Sequence, residues 1–197
     1  SFRFPGGAFL GGNMREINVN DIASNIKEMC IEANYFLEDD IKNSLFKAEK
    51  EETSEVGKSV LNQLHQNLDI AESEMIPICQ DTGMAVVFLD IGQDVHFVGG
   101  DLTDAVNRGV REGYEEGYLR KSVVEDPVER VNTKDNTPAI IHMNIVSGDK
   151  VKITVSPKGF GSENMSRIFM LKPADGIDGV KNAILTAVKD AGPNACP

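Results

Sequence analysis

Between Ile141 and Val155 the chain alternates apolar and polar residues on either side of a turn sequence. Ile141, Met143 and Ile145 alternate with His142 and Asn144, Ser147-Gly148-Asp149 interrupts, and Val151, Ile153 and Val155 alternate with Lys152 and Thr154. Successive side chains of a strand point to opposite faces, so the pattern predicts two strands with one apolar face each, joined as a hairpin. A shorter strand run, Ala85–Ile91, leads through Gly92-Gln93-Asp94 into Val95–Val98, a second predicted hairpin.

The N-terminal third has the other period. Ile22, Ile26, Met29, Cys30 and Ala33 fall at helical spacing behind Asn20 or Asp21. A second helical segment starts near Asp39–Asp40, and a third follows Thr53–Ser54 with Val56, Val60, Leu61, Leu64 and Leu68 on one stripe. Another helix runs from Asp101 or Thr103 to about Tyr118. Its Gly109, Gly113 and Gly117 either let a neighbour pack close or simply weaken it. The last helix spans about Ile177–Ala191, with Val180, Ala183, Ile184, Ala187 and Val188 on one face and Gly192-Pro193 as its stop. Ser122–Pro138 reads as a polar surface segment. Helices first, then strands mixed with helices, predict an α+β fold: an N-terminal helical segment followed by a mainly antiparallel sheet with flanking helices.

A formal net charge of -11 in 197 residues would repel nucleic acid and anionic membrane surfaces, so neither is an expected partner. No apolar stretch approaches the about 20 residues that span a bilayer. Three cysteines do not make a disulfide framework, which points to a cytoplasmic protein with reduced thiols. The glycine-rich Ser1–Asn13 reads as an appended, disordered leader, and residues 14–197 as the folded part.

Cys79 lies in the small polar loop Ile78-Cys79-Gln80-Asp81-Thr82-Gly83, where an amide, a carboxylate and a hydroxyl surround one sulfur. A packed cysteine and a ligand or nucleophile are equally open readings there. Cys196 is followed by Pro197, as cysteines of iron–sulfur loops often are, though the dipeptide alone is weak evidence. Cys30 faces the stripe of its helix and reads as core. No pair of cysteines or histidines has zinc-motif spacing, and His65, His96 and His142 read as structural. Lys158-Gly159-Phe160-Gly161-Ser162-Glu163-Asn164 has bare backbone N–H groups and one cation, which suits an anion cradle or an ordinary turn opening a helix near Ser162. Arg120, Lys121 and Arg130, each taken alone, read as solvated cations.

In combination these segments resemble a known family. Ile78–Gly83, Leu119-Arg120, Val131-Asn132-Thr133 with Asn136-Thr137-Pro138, Lys158–Asn164 and Pro193-Asn194-Ala195-Cys196-Pro197 occur in the order found in the iron–sulfur hydro-lyases, class I fumarate hydratase and L(+)-tartrate dehydratase. The resemblance covers the chain from Met14 onward and corresponds to the α-subunit or N-terminal region. It implies a [4Fe–4S] cluster held by three cysteines, with Cys79 and Cys196 as two of them and the third beyond Pro197. It further implies Asp81 in proton handling or in orienting a partner histidine, and Gln80, Arg120 and Gly161 as contacts to a small dicarboxylate. The remaining site residues would come from a β-subunit or C-terminal domain, within a dimer or αβ assembly. Reversible hydration of fumarate to L-malate is the leading expectation and L(+)-tartrate dehydration the alternative. A reading from another class is a non-catalytic interaction domain in which Cys79 is a redox-sensitive thiol.

Overall fold

The computed structural model describes residues 14–161 and 163–192. The order of elements is β1 (Arg15–Asn18), α1 (Val19–Tyr35), α2 (Asp39–Glu51), α3 (Glu55–Glu74), β2 (Met84–Gly92), β3 (Val95–Val98), α4 (Leu102–Glu116), β4 (Ile140–Val146), β5 (Val151–Lys158), a 3-10 turn at Pro173–Asp175 and α5 (Gly176–Ala191). The class is α+β, as expected, with a mixed strand orientation. β4 and β5 flank β2 in the order β4-β2-β5, with β2 parallel to β4 and antiparallel to β5. β1 and β3 form a separate parallel pair.

Neither predicted hairpin forms. β2 inserts between β4 and β5, and β3 leaves β2 to pair with β1. The turns are where the sequence puts them, but a turn sets only how the chain reverses. The central place goes to the strand that buries most apolar surface. Ala85, Val87, Leu89 and Ile91 of β2 are all buried on one face, whereas no residue of β4 or β5 is buried.

That face is covered by α1 and α4. Ile22, Ile26, Cys30, Val106, Val110 and Tyr114 meet Val87 and Leu89 in one cluster, and each fully buried large side chain contributes about 1.5–3 kcal/mol. The glycine spacing of α4 admits α1 at close range. A Cβ placed on Gly109 would lie 2.5 Å from the Ala23 carbonyl oxygen, and one on Gly113 would lie 2.9 Å from Cys30 Cβ.

The helix starts follow local chemistry. The Asn18 side chain accepts from Asn20 N–H, so the cap lies two or three residues before the expected Asn20 or Asp21. Ser54 caps α3 through Gly57 N–H, and Asp101 caps α4 through Asp104 N–H. α3 buries only His65, Leu68 and Ala71; its expected stripe residues Val56 and Val60 stay exposed against the smaller α2. His65 Nδ1 sits 2.7 Å from a Glu49 carboxylate oxygen and its ring stacks on Phe46.

Candidate functional site

The register of β2 against β5 builds the site. Met84 pairs with Lys158, so the loop that enters β2 (Cys79–Gly83) and the loop that leaves β5 (Gly159–Asn164) emerge side by side. The crossing is tight. Gly83 has φ +60, and a Cβ there would stand 2.1 Å from the Lys158 carbonyl oxygen.

Asp81 joins the two loops. Its Oδ2 accepts from Phe160 N–H at 3.0 Å and from Gly161 N–H at 2.8 Å. The glycine loop is therefore an anion cradle, and the anion seated in it is the protein's own carboxylate. Glu163 closes the loop by accepting from Gly159 N–H, while Lys158 Nζ donates to the Glu163 carbonyl. Among the described residues the next helical turn after β5 begins at Pro173, so the expected helix does not follow Glu163 there.

Asp81, Arg120, Arg130, Phe160 and Gly161 line a cavity of about 700 Å³. Cys79, Gln80, Thr82, Tyr118 and Arg120 line a neighbouring one of about 330 Å³, so Arg120 stands on the wall between them. Among the described residues the arginine ion pairs are those of Arg108 with Glu112 and Arg111 with Asp135; Arg120 and Arg130 face the larger cavity without one. The structure thus brings together Cys79, Gln80, Asp81, Arg120 and Gly161. Cys196 lies outside the described residues.

The two described cysteines differ in kind. Cys30 is fully buried, and desolvation pushes its thiol up to about 12, which leaves it protonated and inert. Cys79 is exposed and its Sγ accepts from Asp81 N–H at 3.4 Å. An exposed sulfur held by a backbone N–H suits one thiolate ligand of an iron–sulfur cluster, whose properties depend on hydrogen bonds to sulfur. Among the described residues no group of three or more His, Cys, Asp or Glu side chains gathers to hold a metal ion. The fit is that of a single ligand.

Composition alone places Ser122–Pro138 on the surface as a polar segment. Its ends are instead internal: Val123 and Asn136 are buried, and Asn136 Nδ2 reaches across to donate to the Gly83 carbonyl at 3.0 Å. The available signal was the density of Asn and Thr within it, residue types that bond to backbone.

Residues 23–197 match the model of the fumarate hydratase (Fumerase) family. The chain belongs to that family. Its curated relatives include a Methanocaldococcus jannaschii protein with the provisional name L(+)-tartrate dehydratase subunit alpha, 40% identical over 182 residues, which are 89% of this chain and 64% of the relative. The aerobic class I fumarate hydratase of Escherichia coli K12 is 38% identical over 149 residues, 74% of this chain and 27% of that enzyme. The L(+)-tartrate dehydratase subunit alpha of Escherichia coli UTI89 is 29% identical over 163 residues, 81% of this chain and 53% of the subunit. The chain therefore spans between about a quarter and two thirds of these Fumerase-family relatives. Among its described residues no helix is long and apolar enough to cross a membrane.

Proposed function

We propose that residues 14–197 form the N-terminal part of the α-subunit of a cytoplasmic iron–sulfur hydro-lyase that interconverts fumarate and L-malate. The observation that carries this reading is the convergence of an exposed, N–H-bonded Cys79 with Asp81 and the Arg120 guanidinium around adjoining cavities, in a chain of the Fumerase family. Cys79 would hold one corner of a [4Fe–4S] cluster, with Cys196 and a third cysteine outside this chain. A β-subunit or C-terminal domain would complete the site in a dimer or αβ assembly. Bound there, such a cluster supplies a Lewis-acid iron that makes a hydroxyl a better leaving group.

The chain's own residues do the rest. Arg120 presents a planar, permanently charged fork that matches both oxygens of a carboxylate. Gln80 adds amide N–H donors from the same loop as the sulfur. Asp81 is fixed by the Phe160 and Gly161 amides, so its carboxylate keeps one orientation, as proton handling or the orienting of a partner histidine requires. Gly161 contributes through that carboxylate, because its N–H is already engaged there; its missing side chain also lets the carboxylate approach, since a Cβ would stand 3.0 Å from Asp81 Oδ2.

A second reading, L(+)-tartrate as substrate, is favoured by the 40% identity to the relative bearing that name. The assay takes the complete protein with its partner subunit, reconstituted anaerobically, and offers fumarate, L-malate and L(+)-tartrate in parallel. We expect fumarate and malate to interconvert and Cys79→Ser to lose both iron and activity. Preference for tartrate would reassign the substrate. A fully loaded assembly inert towards all three, or a Cys79→Ser protein with unchanged iron content, would overturn the hydro-lyase reading in favour of an interaction domain with a redox-sensitive thiol.

A further inference from the structure

The segment Asn132–Asn136 takes no part in the chemistry above, yet its polar side chains converge on the stretch that carries Arg120. Asn132 Nδ2 donates to the Lys121 carbonyl at 2.9 Å. Thr133 contributes its Oγ1 and its N–H to the Val123 carbonyl, at 3.3 Å and 3.0 Å. Asn136 Oδ1 accepts from both Ser122 N–H, at 2.8 Å, and Val123 N–H, at 3.1 Å. Residues 120–123 belong to no strand, so these side chains replace the ladder that would otherwise satisfy their backbone.

Two further bonds tie this stretch to the cysteine loop. Thr82 Oγ1 donates to the Arg120 carbonyl at 3.1 Å, and Asn136 Nδ2 donates to the Gly83 carbonyl at 3.0 Å. Tyr114 supports the join from α4 by donating to the Thr82 carbonyl at 2.6 Å. Asn136 is fully buried and has φ 61, a left-handed conformation that asparagine tolerates better than most residues. A buried amide with three bonds has no partner to spare, and leaving any one unmade is costly.

We infer that Asn136, seconded by Thr82, is a positioning residue for Arg120: it fixes the distance between that guanidinium and the Cys79–Asp81 loop, and so the span over which a dicarboxylate is held. This rests on the proposed function, in which Arg120 binds a substrate carboxylate. A carboxylate contact made equally in ground and transition states acts on KM. Misplacing Arg120 should therefore raise KM, whereas a merely structural defect removes folded enzyme and lowers apparent kcat at constant KM.

The test uses the complete, reconstituted assembly and compares Asn136→Asp, Thr82→Val and Arg120→Ala. Asn136→Asp keeps the acceptor for the two amides but sets a carboxylate oxygen against the Gly83 carbonyl; Thr82→Val is isosteric and removes only the hydroxyl. We expect KM to rise about tenfold or more in Arg120→Ala and in Asn136→Asp, and severalfold in Thr82→Val, with kcat in the last within about threefold of the parent. If Asn136→Asp fails to fold, Thr82→Val decides alone. A raised KM for Arg120→Ala with unchanged KM in the folded positioning variants would overturn this inference and leave the proposed function standing. An unchanged KM for Arg120→Ala would overturn the reading of the site, and this inference with it.

Discussion

α1 and α5 have nearly the same length, 17 and 16 residues, and each carries an apolar stripe at helical spacing. Their fates differ. α1 buries seven residues, with Ile26 and Cys30 wholly excluded from solvent, between α4 and the sheet. α5 buries none: Ile177, Ile184 and Val188 remain 74%, 58% and 68% exposed. An amphipathic pattern is therefore a capacity to be buried, realised only where a second surface has the right relief. α4 provides that relief for α1 by omitting side chains at Gly109 and Gly113, so the two backbones meet.

The sharpest way to break this contrast is to compare the thiol on the buried face of α1 with the one in the cysteine loop. Burial pushes the Cys30 thiol up to about 12, so at pH 8 it stays protonated. Iodoacetamide should alkylate Cys79 in the native chain and Cys30 only after unfolding; comparable native rates, read by mass spectrometry, would mean the interface is open. Next in size is Gly113→Val, which drives a side chain into Cys30 and the Lys27 carbonyl and should cost about 3 kcal/mol in urea unfolding. Truncations sharpen the comparison further. Ile26→Ala should cost about 3 kcal/mol, and Ile184→Ala in the same chain under about 0.5 kcal/mol. Equal losses would show that α5 is packed as firmly as α1.

The smallest expected effect lies on the outer face of α4. Burial alone would raise the Asp135 carboxyl, but hydrogen bonds from Arg111 and Thr137 outweigh it and hold the group below the usual carboxylate range. A depressed carboxyl stabilises the fold above its unfolded titration, about pH 4, and the benefit is lost as pH falls through the folded value. Arg111→Ala should therefore cost under about 1 kcal/mol at pH 7, given how exposed the pair is, and nothing at pH 2. A pH-independent loss would mean the guanidinium acts through packing.

Much of the local structure was legible in the residues. Ser54 and Asp101 start their helices because a hydroxyl or carboxylate there satisfies an otherwise orphaned N–H. Gly192 ends α5 with φ +55, as a helix-stopping glycine does. Cys79, Gln80, Asp81, Arg120 and Gly161 are site candidates by residue type and family resemblance, and the fold gathers them around two adjoining cavities. The occupant of the glycine cradle was not legible. Backbone N–H groups accept any anion of the right size, and nothing local reveals that Asp81 would reach them from 80 residues away.

Period and capping chemistry, both carried by neighbours within a few residues, were enough to determine the long helices and the strands β2 to β5, but not β1, whose four residues carry no periodic signal of their own. Strand partners and the contents of the site were decided only by the tertiary structure. The Ser147–Asp149 turn is compatible with β5 lying next to β4 or one strand further off, and only the burial of β2's apolar face, which neither β4 nor β5 matches, selects the second. Asn136 shows the same limit, for its role depends on which backbone amides arrive beside it, and that is a property of how distant segments pack.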